Sequence, residues 1–342
     1  MASALETNFN YTYPGILSTD VSFKPTEDTP ALSDIFTIDQ GIKFKKQYNL
    51  LTQLSKILKP YTGCERVFSG SQDITNTTVQ TEEFEIGLEW CKDDFTAQLA
   101  ESYNVLAQEW LKNGIQEFDP SGTPVASIIT QLIQDAIRRD VFRRVSFGDQ
   151  ASSSADWNTI DGLWTRLIDT AGASNYCVRR TSGTSLGTAD LAAGEAIAAL
   201  EATHIQSANI LKQIPNSQKK FFVTGSIYDN YYNSLAATGA VTEQAFSNQV
   251  NGLSTLRFKG IDVVPVRYWD TLLDDSTNPI AATSKHLVLY TTKQNHILGV
   301  ENGADLNKVE GFFDRKDRKY YFEGNMKFGY NYLHCDLQTI AY

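Results

Sequence analysis

The feature that most constrains the fold is a single change of hydrophobic period along the sequence. Residues 82–90 alternate, with Phe84, Ile86 and Trp90 on one face and glutamates on the other, which predicts a strand with one covered face. Over residues 94–113 apolar residues recur every third or fourth position, which predicts an amphipathic helix about 30 Å long. A long strand that leads directly into a long helix, without a chemical motif on either, indicates a scaffold rather than an active site.

The overall charge limits the possible partners. The chain has 342 residues, and 40 acidic against 30 basic residues give it a net charge of −10. Proteins that bind duplex DNA gain most of their affinity from lysine and arginine on phosphates, so sequence-specific nucleic-acid binding is not expected. An acidic protein can still enclose nucleic acid. The N-terminal residues show no signal-peptide pattern and no apolar run is long enough to span a membrane, so no membrane partner is expected.

The first third of the chain predicts an extended arm followed by a hairpin. Residues 1–45 contain several helix-breaking prolines and two apolar islands, 32–36 and 42–44, which could anchor the arm on its own chain or on a neighbour. Residues 48–58 have a short helical pattern. Residues 60–92 fit two strands that are joined by a polar tip.

The rest of the chain predicts a mixture of helices and strands, and the fold class is therefore α+β. A helix that begins with Pro124 is predicted up to about Gly148, and further helices are predicted over residues 191–213 and from Ser226. Short strands are predicted at 221–223, 256–258, 261–266 and 286–291 and through most of the C-terminal segment.

Four arginines near the end of the helix that begins at Pro124 are a candidate site: Arg138, Arg139, Arg143 and Arg144. They could bind phosphate. The preferred interpretation is that they complement the helix C-terminus and pair with carboxylates of a neighbour.

The sequence contains one enzymatic candidate. Residues 183–187 match the Gly-x-Ser-x-Gly pattern of a nucleophile elbow, with Ser185 as the candidate nucleophile. An elbow follows a buried apolar strand, but Arg179 and Arg180 stand in that place, so a loop is the preferred interpretation. The four histidines lack the spacing of a metal site, and no nucleotide-binding glycine motif is present, so neither a metal nor a cofactor is expected.

The order of these elements resembles the major capsid protein of tailed bacteriophages, with its HK97-like fold. Residues 82–90 followed by 94–113 look like the returning strand of that family's long hairpin, the E-loop, and its spine helix. Residues 136–149 resemble the helix-and-glycine segment that precedes the axial domain. Residues 259–266 and 295–299 resemble a glycine-then-strand segment of that domain and the family's final turn.

The resemblance implies five regions along the chain. They are an N-terminal arm (1–47), an E-loop hairpin with its lead-in (48–92), the spine helix with the first part of the peripheral domain (93–149), an axial domain (150–305) and the second part of the peripheral domain (306–342).

The resemblance also implies a function without catalysis. The chain would assemble in the host cytoplasm into pentamers and hexamers of an icosahedral shell, the virion capsid, around double-stranded DNA. Expected partners are other copies of the chain, a separate scaffolding protein, a portal and head-decoration proteins. The candidate inter-subunit contacts are Leu32, Phe36, Phe84, Ile86, Trp90, Arg138, Arg139, Arg143 and Arg144.

Further expectations depend on the arm and the hairpin. Deletion of residues 1–45 should permit folding but impair closure of the shell. Because the hairpin from Gly63 has no lysine before Lys92, the covalent cross-links that some members of the family form through an E-loop lysine are not expected. The alternatives are an encapsulin-like shell that encloses protein cargo and, more remotely, a serine hydrolase that uses Ser185.

Overall fold

The computed structural model describes residues 32–51, 74–91, 124–172, 179–180, 186–237, 256–301, 310–314, 316–317 and 319–342. The predicted spine helix, the arm up to residue 31 and Ser185 lie outside the described residues. The chain divides into two compact units. The first comprises Met1–Glu27, Glu83–Asp140 and Asn302–Lys327, and the second comprises Asp28–Glu82, Val141–Glu301 and Phe328–Tyr342.

The described residues form seven α-helices and thirteen β-strands. The helices are α1 (Leu32–Ile35), α2 (Pro124–Phe147), α3 (Leu163–Gly172), α4 (Glu195–Gln206), α5 (Asn209–Gln213), α6 (Gly225–Ala237) and α7 (Arg267–Leu273). The strands are β1 (Thr37–Gln40), β2 (Lys45–Leu51), β3 (Ile74–Gln80), β4 (Glu82–Cys91), β5 (Arg179–Arg180), β6 (Lys219–Val223), β7 (Leu256–Phe258), β8 (Ile261–Pro265), β9 (Val288–Thr292), β10 (His296–Val300), β11 (Glu310–Asp314), β12 (Lys319–Tyr332) and β13 (Gln338–Ala341).

In the first unit, β4 and β11 both pair with β12. The predicted strand over 82–90 is confirmed as β4, and its side chains alternate between exposed and half-buried as expected. Its partner differs from the prediction. The prediction made β4 the returning strand of the E-loop hairpin, but β4 pairs with β12. The described hairpin is instead formed by β2 and β3.

The second unit is built around a six-stranded sheet in the order β5-β13-β9-β6-β8-β7. Phe221 stacks on Tyr290 at a centroid distance of 4.4 Å, and helices α4 and α6 pack with these rings in one buried cluster. The strands predicted at 221–223, 256–258, 261–266 and 286–291 correspond to β6 to β9. The helix predicted over 191–213 is divided, because the chain is extended at Ser207 and Ala208 between α4 and α5.

The C-terminal strand β13 pairs with β9 near the middle of this sheet. Residues 338–341 therefore share a sheet with residues of the predicted axial segment, although the sequence placed them with the peripheral domain. Long-range pairing of this kind leaves no signal in local periodicity.

The end of α2 packs against a loop through glycines. A Cβ on Gly148 would lie 2.3 Å from the carbonyl oxygen of Ile160, so the loop approaches the helix end more closely than a side chain allows. Trp164 and Trp269, both fully buried, meet edge to face at 5.3 Å beneath this junction. The helix predicted from Pro124 and its glycine exit are confirmed.

The helix predicted over residues 48–58 is wrong where the structure describes it. Residues 45–51 form β2, which pairs antiparallel with β3 over seven residues. Tyr48 and Leu50 are half-buried, while Gln47 and Asn49, each of which directly precedes one of them, are exposed, which is the alternation of a strand. A cluster of leucines fits the period of a helix as well as that of a strand, and the pairing of β2 with β3 selects the strand.

The segment predicted as a loosely packed arm is packed from residue 32 onward. Ile35, Phe36 and Ile42 are all at most 2% exposed, and β1 joins the second unit by pairing parallel with β10. The island 32–36 and Ile42 of the second island therefore anchor on their own chain, whereas Phe44 of the second island is exposed. Deletion of residues 1–45 would remove a strand and three core side chains, so the expectation that such a deletion permits folding does not hold.

The root of the β2–β3 hairpin lies on a patch of glycine backbone. A Cβ on Gly329 would lie 1.8 Å from the carbonyl oxygen of Gln80, and one on Gly299 would lie 2.8 Å from side-chain atoms of Ile42 and Val79. Val79 is fully buried there. Glycine is therefore required for β3 to cross over β10 and β12.

Gly329→Ala tests this close approach. The new methyl group would clash with backbone, so we expect a loss of stability of about 1–3 kcal/mol or more and a clearly lower midpoint of thermal unfolding. Gly87→Ala in β4 is the matched control, because a Cβ there meets nothing within 4 Å. Equal unfolding midpoints for the two variants, measured by circular dichroism, would contradict the proposed packing.

Candidate inter-subunit surfaces

The covered face of β4 carries the predicted contacts Phe84 and Ile86, and both side chains are half-buried within the chain. On the opposite face Glu83 forms an ion pair with Lys327 at 3.8 Å. Trp90 belongs to β4, but its side chain lies outside the described residues. The apolar face of β4 is thus partly covered by its own chain and keeps area for a further contact.

Phe36 is placed differently from the prediction. Its ring is fully buried and packs edge to face on Tyr330 at a centroid distance of 5.6 Å. This side chain is therefore occupied by its own chain, and a contact with another subunit through it is ruled out in this conformation. Leu32, one helical turn earlier in α1, is half-buried.

The four arginines of α2 separate into two pairs. Arg144 donates to the hydroxyl of Thr159 at 2.6 Å, and Arg143 lies over the ring of Trp157 and 3.9 Å from Asp156. These two side chains bind the loop that follows the helix. They hold the helix end against its own loop, which explains half of the cluster without a partner.

Arg138 and Arg139 remain closer to solvent. Arg138 is exposed and pairs with Asp135 at 3.7 Å, one helical turn away, while Arg139 donates to the backbone oxygen of Asp135. Exposed ion pairs of this spacing contribute only about 0.3–0.5 kcal/mol. Both guanidinium groups can therefore exchange Asp135 for the carboxylate of a neighbour at little cost.

Two exposed apolar side chains lie on or beside the hairpin of β2 and β3. Phe44, which belongs to the predicted apolar island 42–44 and directly precedes β2, is 73% exposed. Ile74, the first residue of β3, is 60% exposed and was missed by sequence reasoning. Near the root, Lys46 and Tyr48 both hydrogen-bond the carboxylate of Asp39. The root of the hairpin is therefore fixed to Asp39, and Ile74 at the other end of the paired strands is exposed. The prediction of a helix over 48–58 did not allow for this strand pairing.

The β2–β3 hairpin carries two lysines, Lys45 and Lys46, which precede the segment from Gly63 on which the cross-linking prediction rests. The expectation that no covalent cross-link forms through an E-loop lysine stays a prediction.

A serine and a histidine that the sequence did not connect meet in the second unit. Ser226 Oγ lies 2.7 Å from His286 Nδ1, and His286 Nε2 donates to the carbonyl oxygen of Ala189. The backbone N–H groups of Gly225 and Ser226, which could otherwise stabilise an oxyanion, donate to the carboxylate of Asp270. Because both N–H groups are already bound to this carboxylate, they do not form an oxyanion hole, and the Ser226–His286 pair ties α6 to the segment that precedes β9.

His296 forms a fully buried polar link beneath the hairpin root. Its Nδ1 lies 2.8 Å from the hydroxyl of Tyr330 and its Nε2 lies 3.0 Å from the hydroxyl of Thr291. Burial lowers the pKa of His296 to about 3, so the imidazole is neutral across the physiological range.

Within the described part of the chain, no cluster of three or more His, Cys, Asp and Glu residues could hold a metal ion. None of the described helices is long and apolar enough to cross a membrane.

Comparison with known proteins gives one kind of match. No family model matches the sequence, and no curated protein sequence matches it. Solved structures do match. The capsid of Myoviridae phage XM1 is similar over 96% of this chain and 96% of that chain, with a TM-score of 0.58 and 10% sequence identity.

Two further structures agree. Gordonia phage Cozz is similar over 96% of this chain and 91% of its own, with a TM-score of 0.56 and 11% identity. The satellite phage P4 procapsid, which includes a size determination protein, is similar over 90% of this chain and 85% of its own, with a TM-score of 0.53 and 11% identity. This chain has the fold of phage capsid proteins. The predicted resemblance is confirmed at the level of the capsid fold, which follows from the backbone over nearly the whole chain rather than from shared residues.

The buried His296 predicts a pH dependence of folding. An unfolded histidine has a pKa of about 6.5, so below that pH the unfolded chain takes up a proton that the folded chain excludes. The contribution of neutral His296 is fully present above pH 6.5, and it falls by about 1.4 kcal/mol per unit as the pH drops towards the folded pKa.

The measurement compares the wild type with His296→Gln, which can keep a hydrogen bond but cannot titrate. We expect the free energy of unfolding in urea to fall between pH 6.5 and pH 5 by about 2 kcal/mol more in the wild type than in the variant. An identical loss in both proteins would show that another group carries the pH dependence.

Proposed function

We propose that the chain is a major capsid protein that self-assembles into pentamers and hexamers of an icosahedral shell around double-stranded phage DNA. The observation that carries the proposal is the capsid fold over 96% of the chain, as in phage XM1. Under this proposal the protein is a structural component of the virion, and it assembles without catalysis. Neither an encapsulin-like cargo shell nor a hydrolase is favoured by any feature of the described residues.

The five regions of an HK97-like subunit are proposed with revised bounds. We assign the E-loop to the β2–β3 hairpin, and the axial domain to the six-stranded sheet with helices α4 and α6. The peripheral domain takes α2, β4, β11 and β12. The N-terminal arm is restricted to residues before Leu32, because Ile35 and Phe36 are core residues.

The proposed mechanism of assembly is geometric. The hairpin is fixed at its root by Asp39 and by the glycine patch, while Ile74 and Phe44 present apolar surface to solvent. A two-stranded hairpin is marginally stable alone in water, so burial of these exposed side chains against another subunit stabilises the hairpin and the contact between subunits. Further contacts are proposed through the half-buried face of β4 with Phe84 and Ile86, and through Leu32. Trp90, Arg138 and Arg139 are proposed as additional contacts.

The acidic charge is consistent with a shell that encloses DNA without reading its sequence. A net charge of −10 disfavours tight binding to phosphate and lets the genome pack and leave freely. A scaffolding protein, a portal and head-decoration proteins are proposed as additional partners on the same grounds of resemblance.

The direct test is the mass of the particles formed by the full chain. We expect light scattering and negative-stain images of the purified protein to show closed shells or rings of five and six subunits. Particles that protect DNA from nuclease, without co-purified protein cargo, would distinguish the capsid from a cargo shell. A chain that remains monomeric at high concentration and under molecular crowding would contradict self-assembly without the proposed scaffolding protein.

Ile74→Asp tests the role of the hairpin. Ile74 is 60% exposed in the single chain, so the variant should keep its unfolding midpoint while losing the mass of the assembled particle. Thr75→Asp is the matched control, because it places the same charge on the next residue of β3, whose side chain faces the opposite way. Shells of normal mass from Ile74→Asp, or equal loss of assembly in both variants, would contradict the proposed contact.

A further inference from the structure

A group of cationic side chains gathers where α4 ends. Lys212, Lys219 and Lys259 all lie close enough to His204 to act on its charge. Burial, followed by these three lysines, lowers the pKa of His204, and only Glu201 opposes the effect. Positive charge is therefore concentrated here in a chain whose net charge is −10.

The backbone holds these lysines in place. Lys212 Nζ donates to the carbonyl oxygen of Ile205 at 2.6 Å, at the end of α4. Lys219, only 2% exposed, donates in turn to the carbonyl oxygen of Lys212 at 3.2 Å. Both bonds use carbonyl groups at helix ends, where cations are favoured. The ammonium group of Lys212 is thus held at the surface, and that of the buried Lys219 is held beside it, by groups that do not neutralise them.

Among the described residues, Glu201 is the carboxylate that pairs with a lysine of this group, at 3.3 Å from Lys259. Exposed pairs of this kind are worth little, and one carboxylate cannot balance three ammonium groups. The surface therefore keeps a positive excess.

Apolar side chains lie beside the lysines. Ile205, at the end of α4, is 58% exposed, and Ile210, on α5, is 49% exposed. Single exposed isoleucines are ordinary, but two of them next to the exposed Lys212 and Lys259 make a surface that is both apolar and positive.

A cleft lies close to this surface: Ile214, which follows α5, and Leu337, whose turn contacts α5, both line it. The cleft has a volume of about 450 Å³ and contains no carboxylate among its lining residues. Its apolar and basic lining residues are Ile214, Leu333, Leu337, Lys220, Lys293 and His334. The cleft thus repeats the combination of apolar walls with positive charge.

We propose that this surface, formed by the end of α4, by α5 and by the adjoining cleft, binds an acidic peptide segment with apolar side chains from a partner protein. Lysines at the rim would attract its carboxylates, and Ile205, Ile210 and the cleft would take its apolar side chains. Duplex DNA fits less well, because its phosphates would engage the lysines and leave both isoleucines and the apolar walls unused. This binding site goes beyond the proposed capsid function, which concerns contacts between copies of the chain.

The test uses a fluorescently labelled synthetic peptide in which Glu and Leu alternate at helical spacing, titrated with the full-length protein and followed by anisotropy. We expect the double variant Lys212→Glu and Lys220→Glu to weaken binding by about tenfold or more, since two charge contacts become repulsive. Lys43→Glu makes the same kind of charge change at an exposed residue outside this surface and should bind like the wild type.

A second variant separates the apolar contribution. Ile205→Ser with Ile210→Ser removes the two exposed apolar side chains and leaves every charge in place, so peptide binding should also weaken, by about threefold or more. Circular dichroism of each variant confirms that the fold is kept. A peptide in which Lys replaces Glu should not bind.

The outcomes are decisive in both directions. Peptide binding that is lost in the lysine variant and weakened in the isoleucine variant supports the proposal. No binding by the wild type, equal binding by all variants, or a short DNA duplex that competes fully through the same lysines would overturn it. Particle mass is measured on the same samples, so normal shells without peptide binding would reject this inference and leave the capsid function standing.

Discussion

Much of the second unit depends on one close approach, where the backbone of β3 crosses the glycines of two other strands. No side chain fits at Gly329, because a Cβ would lie 1.8 Å from the carbonyl oxygen of Gln80. The contact brings Val79 into the core and fixes the direction in which the hairpin leaves the sheet. The fully buried pair of His296 and Tyr330 lies in the same pair of strands and adds directional hydrogen bonds to an otherwise apolar core. Because the root of the hairpin is held at Gly299 and Gly329, Ile74 keeps its position although it is exposed to solvent.

Local pattern predicted most elements correctly and failed where distant strands decided the structure. Local sequence alone predicts β4, through its period of two, and α2, through the proline at its start and the glycine after its end. Both elements are present in the structure. Residues 48–51 fit a helix as well as a strand, and only the register with β3 selected the strand. The placement of β13 beside β9 and of β1 beside β10 likewise rests on pairings that no window of sequence contains.

The sequence predicted which kinds of residue could contact another subunit, but not which of these side chains are exposed. A buried aromatic such as Phe36 and an exposed one such as Phe44 look alike in the sequence, and their exposures of 0% and 73% follow from which one the sheet covers. The arginines of α2 carry equal charge, yet Arg144 reaches Thr159 because a glycine-lined loop returns to the helix end, while Arg138 faces solvent. Charge and hydropathy identify candidate contact residues, and the topology of the fold decides which of them are exposed.

The pairing of β1 with β10 has a consequence for the order of events during synthesis. Thr37 lies opposite Ile297, so an early strand waits for a partner that the ribosome adds some 260 residues later. The glycine at position 329, on which the hairpin rests, emerges later still. Non-local contacts of this kind form slowly and late. A nascent chain therefore cannot complete the root of the hairpin until almost all of it has been made. Under the proposed capsid function, the topology itself would keep unfinished subunits out of the growing shell.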